Sequence, residues 1–159
     1  MKQEMINKAH EVFAMLKAAM DHDDWKYEAN DEECVLLSGC TGEDFPITFF
    51  FKVDPQRECL TFRSSPFAKF DDEHFMDGAL ATCVANHGLV FGHFDYDASD
   101  NSVRYTMANS IVGTEFEEAF FIDMLQTAVR TVDNYNDRFI MLSKGMIDIK
   151  QFLKMEADD

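Results

Sequence analysis

The chain has 159 residues and a mass of 18.3 kDa, the length of a single domain spanning residues 1–159. Hydrophobic residues make up 47 % and aromatics 13 %, which excludes a disordered chain, because that much apolar side chain offsets the entropy of ordering. Fourteen basic against thirty acidic residues leave a net charge of −16, which repels phosphodiester backbones and anionic bilayers and so excludes nucleic acid and membrane as general partners.

Residues 2–21 carry the pattern of an amphipathic helix. Met5, Ile6, Ala9, Val12, Phe13, Leu16, Ala19 and Met20 share one stripe, with Lys8, Glu11 and Lys17 outside it. His22-Asp23-Asp24 ends it, and the period changes to two. Trp25, Tyr27 and Ala29 alternate with Lys26 and Glu28, and the turn Asn30-Asp31-Glu32 leads to a second strand at Val35-Leu36-Leu37. A third strand, Ile47 to Val53, puts Ile47, Phe49, Phe51 and Val53 on one face and Thr48, Phe50 and Lys52 on the other. Asp54-Pro55-Gln56-Arg57 supplies turn chemistry before a fourth strand, with Leu60 and Phe62 opposite Thr61 and Arg63.

Asp71-Asp72-Glu73 marks a second helix start, and Met76, Ala79, Leu80, Cys83, Val84 and His87 form its expected core face, with Gly88 as its stop. Strands near 89–96 and 102–108 follow, joined by a polar turn at 97–101. Thr114 and Glu117 have capping-box spacing and open a long helix over about 115–135, which Arg138–Leu142 continues or follows as a short successor. Its core stripe is Phe121, Met124, Leu125, Ala128, Val129 and Val132, flanked by Ile122 and Tyr135. Gly145 breaks the run, and 146–159 reads as a short amphipathic tail with an acidic end. The order α-β-β-β-β-α-β-β-α predicts an α+β fold, an antiparallel sheet flanked by helices.

Reactive residues are present without a catalytic pattern. Cys34, Cys40, Cys59 and Cys83 contain no C-x-x-C pair and read as buried thiols, and the charges in the first twenty residues exclude a signal peptide. A reducing, cytoplasmic setting is therefore expected. His87 and His93 flank Gly88 with no preset ligand geometry, and His87 reads as a partly buried core histidine. Cys83 and His87 share a helix face at the reach of a thiolate–imidazole pair, but that face reads as core. Asp95, Asp97 and Asp100 resemble the opening of a calcium loop but lack its Gly and terminal Glu, and read as a solvated turn. No metal, cofactor or catalytic residue is assigned.

The stretch Asn86-His87-Gly88, Phe91-Gly92-His93-Phe94-Asp95-Tyr96-Asp97, Val103-Arg104-Tyr105 and Thr131-Val132-Asp133-Asn134-Tyr135 resembles the YbjN-type family, bacterial proteins described as "putative sensory-transduction regulators". The resemblance spans roughly residues 20 to 145. It implies a fold similar to type III secretion chaperones, no catalytic motif, a homodimer, and binding of another polypeptide as client. Phe50, Phe116 and Phe120 lie off the core faces of their elements and are the candidate partner-binding residues. The function expected is a non-enzymatic protein-interaction module, chaperone-like or regulatory. The alternatives are a small-molecule sensor with an apolar cleft between sheet and long helix, and an acidic inhibitor or immunity-type protein.

Overall fold

The computed structural model describes residues 3–157. Helix α1 (Gln3–His22) buries Ala9, Val12, Phe13, Leu16, Ala19 and Met20, the stripe read from spacing; its expected start at Lys2 lies outside the described residues. Asp24 adopts φ 56° and Trp25 N–H donates to Met20 C=O at 2.9 Å, which closes the helix end.

Strands β1 (Tyr27–Asn30), β2 (Val35–Thr41), β3 (Pro46–Asp54) and β4 (Cys59–Ser64) form an antiparallel meander. Strand β7 (Ser102–Ser110) pairs β4 along one edge, with the two-residue β5 (Ala68–Lys69) extending that edge, and β6 (His93–Asp97) pairs the other. The sheet thus has seven strands, one more than the periodicity predicts. Strand β6 also begins at His93, later than expected. Gly92 holds φ +66° there and bends the chain against Tyr105.

The turn at 54–57 forms as read, with Asp54 Oδ1 accepting from Gln56 N–H at 2.8 Å and Arg57 N–H at 3.1 Å. Three hairpins close on a residue with positive φ: Cys34, Glu58 and Asn101. Of these only Asn is a residue that favours that conformation, so the sequence carries little warning of the other two.

Helix α2 (Phe75–Ala85) ends with Asn86 as cap, two residues before Gly88. Gly88 is not among the residues with positive φ, so it is not the stop. The Asn86 backbone N–H caps the helix on Thr82 C=O, and its side chain ties that end to the Phe94 backbone, accepting from its N–H at 2.7 Å and donating to its C=O at 3.0 Å.

Helix α3 (Glu118–Ser143) is continuous through Arg138–Leu142. Its expected capping box is not formed. Glu117 is the N-cap without a side-chain bond, and Thr114 Oγ1 donates to Ser110 C=O at 3.1 Å instead. A reciprocal box closes the tail instead: Asp148 Oδ1 accepts from Gln151 N–H, and Gln151 Oε1 accepts from Asp148 N–H, both at 2.8 Å. That box opens α4 (Ile149–Ala157); the acidic end of the tail, Asp158-Asp159, lies outside the described residues. Between the two helices Gly145, at φ +67°, completes the stop, with Met146 N–H bonded to Met141 C=O at 2.9 Å.

The helices gather on one face of the sheet. Ile47, Phe49, Phe51 and Val53 of β3 all point into it, and Phe49 stacks on Phe62 with centroids 4.9 Å apart. Phe139 of α3 joins Phe94 of β6 to Phe152, the buried residue of α4, at 5.2 Å each.

His22 at the end of α1 contacts Glu118 at the start of α3, and the hydrogen bond and charge of Glu118 raise the imidazole above its ordinary pKa. NMR titration is expected to return a His22 pKa above that of a free histidine. Because the folded value is the raised one, this link contributes fully below the unfolded pKa and is lost as pH rises through the folded value. Glu118→Gln should return His22 to the ordinary range.

Candidate functional site

Helix α2 presents the face opposite to the one its hydrophobic pattern predicts. Met76 is 63 % and Leu80 45 % exposed, and Cys83 and His87 are exposed as well. Gly78, Ala81, Thr82 and Ala85 are the residues buried. The reason is space. A Cβ on Gly78 would lie 2.6 Å from the Phe70 ring and 2.7 Å from the Tyr96 ring, so the helix rests against aromatic side chains that leave room only for small residues. Both faces of α2 are apolar, and periodicity alone does not choose between them. The expectations of a core Cys83 and a core His87 are corrected by this rotation.

An apolar surface results. Phe75, Met76 and Leu80 stand exposed on α2, and Val90 (84 %) and Phe91 (60 %) follow in the loop beyond its end. Exposed residues of this size in one segment mark an interaction site more often than chance scatter does. Its surroundings are acidic. Between Lys69 and Arg104 the chain has no Lys or Arg, but carries Asp71, Asp72, Glu73, Asp77, Asp95, Asp97 and Asp100.

The sheet face away from the helices is mixed. Leu37 of β2 stands opposite Phe50 of β3, the former 48 % exposed and the latter half-exposed. Further along, Asp95 contacts Thr106, His93 Nε2 at 3.0 Å and Arg63 at 3.9 Å, while Arg104 bonds Asp97 at 3.1 Å. Asp97 Oδ1 also accepts from the Ser99 hydroxyl, the main cause of its lowered pKa, and Asp100 Oδ1 accepts from Ser102 N–H at 3.2 Å. Each aspartate of the calcium-like run is thus engaged in holding the β6–β7 hairpin.

These features can be set beside known proteins. A model of the YbjN family, "Putative bacterial sensory transduction regulator", matches residues 13–141. The chain belongs to the YbjN family. Two solved structures share the fold. One, the ExsC–ExsE complex, gives a TM-score of 0.53 at 11 % identity, over 84 % of this chain and 93 % of that one. The matching protein there is ExsC, a type III secretion chaperone. The other is YbjN from E. coli, "a putative transcription regulator", with a TM-score of 0.57 at 10 % identity, over 76 % of this chain and 85 % of that one. No curated protein matches the chain. The predicted α+β architecture and its likeness in fold to a secretion chaperone therefore hold.

Within the YbjN-family fold, the other partner-binding candidates lie at and just before the start of α3. Phe116 is 7 % exposed and packs on Phe120 at 4.8 Å and Phe121 at 5.5 Å; Phe120 is half-buried. The structure also joins residues that spacing did not connect. Cys34 Sγ lies 3.4 Å from His10 Nδ1, but burial, followed by the Asp31 charge, pushes the Cys34 thiol up. A thiol held protonated in this way is not an activated nucleophile. Among the described residues no group of three or more His, Cys, Asp or Glu is arranged to hold a metal ion, and no helix is long and apolar enough to cross a membrane.

Asn136 is the residue the sequence reading passed over. It falls one turn after Val132 on the buried stripe of α3, is 2 % exposed, and its Oδ1 has no hydrogen-bond partner among the described residues. A buried acceptor left unpaired costs about 1–3 kcal/mol. A polar residue on an otherwise apolar stripe was the available signal.

Proposed function

We propose that this YbjN-family protein is a non-enzymatic protein-binding module, chaperone-like or regulatory, working as a homodimer in the cytoplasm. The outward apolar face of α2 carries the proposal. Leaving Phe75, Met76 and Leu80 in water forgoes roughly 1–2 kcal/mol of burial for each, which a docked partner recovers. Seven carboxylates and no Lys or Arg between residues 69 and 104 favour a client segment that is apolar with basic flanks. They disfavour a second copy of the same acidic face. The homodimer contact is accordingly placed on the open sheet face, where Phe50 and Leu37 adjoin. Free thiols at Cys34, Cys40, Cys59 and Cys83 support a reducing compartment.

Affinity capture from native lysate, with wild type beside Met76→Asp/Leu80→Asp, tests this reading. Wild type is expected to retain a discrete polypeptide in moderate salt. The variant should lose it by tenfold or more, with a melting temperature within about 2 °C of wild type, since surface changes cost little. Equal retention by both proteins would remove α2 from the proposal. A client that dissociates steeply with salt would instead favour a charge-driven inhibitor.

A further inference from the structure

We propose that the groove between α2 and α3 is a docking site for an amphipathic helix of a partner protein, and that α4 occupies it as a displaceable stand-in. Helix α4 packs along both α2 and α3. Its contacts follow the pattern of a helix laid in a groove, with anchors at positions i, i+3 and i+7. Ile149 is half-buried against the core, Phe152 is fully buried on Phe139, and Glu156 accepts from Arg138 Nη1 at 2.9 Å. Lys150, Gln151 and Lys154 are exposed.

The receiving surface and its occupant differ in how they are held. Tyr135, Arg138 and Phe139 lie within residues 13–141, the span that matches the family, whereas α4 lies wholly beyond it. Phe139 is fixed from inside the domain by Phe67 and Phe94, and the Arg138 guanidinium lies 5.4 Å from the centre of the Tyr135 ring. The surface is thus built without α4. Helix α4 has one fully buried side chain, and nine residues are too few for a stable helix alone in water. Gly145 ends α3 before α4 begins, so α4 can leave the groove without unwinding α3.

The occupant also states what else would fit. The site beside Phe139 takes a large ring. The side chains of Arg138 and Glu156 are 18 % and 8 % exposed, so this pair is largely withdrawn from water, and a helix lacking the carboxylate would forfeit a charge-assisted bond. A competing helix therefore presents an apolar residue, an aromatic three positions later and a carboxylate four positions after that. Neither Met76 nor Leu80 enters this argument, so the titration below and the capture experiment on the outward α2 face can fail independently.

The test titrates a fluorescein-labelled peptide of residues 146–157 into the full chain and follows its anisotropy. Wild type is expected to bind it weakly, because its own α4 competes at an effective concentration on the order of millimolar. Phe152→Asp undocks that competitor, and the chain should bind the peptide roughly tenfold tighter or more. Glu156→Lys in the chain should give a gain of roughly threefold, the size of an ion pair near the surface. This second variant keeps Phe152 in place and decides the matter if the first fails to fold. A peptide carrying Phe152→Asp should bind none of the chains. Absence of saturable binding, equal affinity of the folded chains for the peptide, or equal binding of the altered peptide would overturn the proposal. So would light scattering that finds a wild-type dimer and a Phe152→Asp monomer, because the groove would then belong to α4 of a second copy.

Discussion

Replacing Phe116 and Phe120 together with Ser is expected to lower the unfolding free energy by about 4 kcal/mol, most of it from Phe116. Phe116 is 7 % exposed and forms a three-ring cluster with Phe120 and Phe121, the last pair at 5.6 Å. Serine there removes the ring contacts, leaves a void beside the start of α3, and places a hydroxyl in apolar surroundings. For a domain of this length the melting temperature should fall by about 8–16 °C. Differential scanning calorimetry on the pair, with Met76→Asp/Leu80→Asp as the surface control, separates the two kinds of apolar residue. A double Phe variant that melts with wild type would return these rings to the list of surfaces free for a partner.

Gly92→Ala should cost about 3 kcal/mol, despite adding a single methyl group. Two penalties combine. The residue sits at φ +66°, where an L side chain is disfavoured by about 1 kcal/mol. The new Cβ would also lie 2.1 Å from the Tyr105 hydroxyl and 2.8 Å from Thr106 C=O. Tyr105 is fully buried and its hydroxyl donates to Phe91 C=O at 2.7 Å, so displacing it breaks a bond and disturbs rings packed from Phe62 to Phe94. Loss of such a buried bond accounts for the remaining 1–3 kcal/mol. Burial already pushes the Tyr105 pKa up, which rules out ionisation as relief near neutral pH. Gly88→Ala is the matched control, because a Cβ there meets nothing within 4 Å and the change should stay within about 0.5 kcal/mol. Urea denaturation of both variants measures the contrast.

Much of the fold was legible because short-range patterns carry it. The alternation of Ile47, Phe49, Phe51 and Val53 gave the inner face of β3, and the stripe from Ala9 to Met20 gave the inner face of α1. Turn chemistry at Asp54 and the break at Gly145 were likewise local. Capping was less legible. Thr114 and Glu117 have the right spacing without the contacts, whereas Asp148 and Gln151 make them. Spacing states only that a cap is possible; the direction in which the chain enters the helix selects the one that forms.

The candidate surfaces were the least legible part. Asn136 drew no notice, although it is a polar residue on the apolar stripe of α3. Cys34 and His10 met only through long-range folding.

By itself, the order of residues determined the acidic field and, β5 apart, most of the element types and their succession, since periodicity, turn propensity and charge act within a few residues or need no geometry at all. The tertiary structure alone decided that α2 turns Met76 and Leu80 to water. That outcome depends on the room left by Phe70 and Tyr96, and excluded volume between distant segments has no expression in a local pattern.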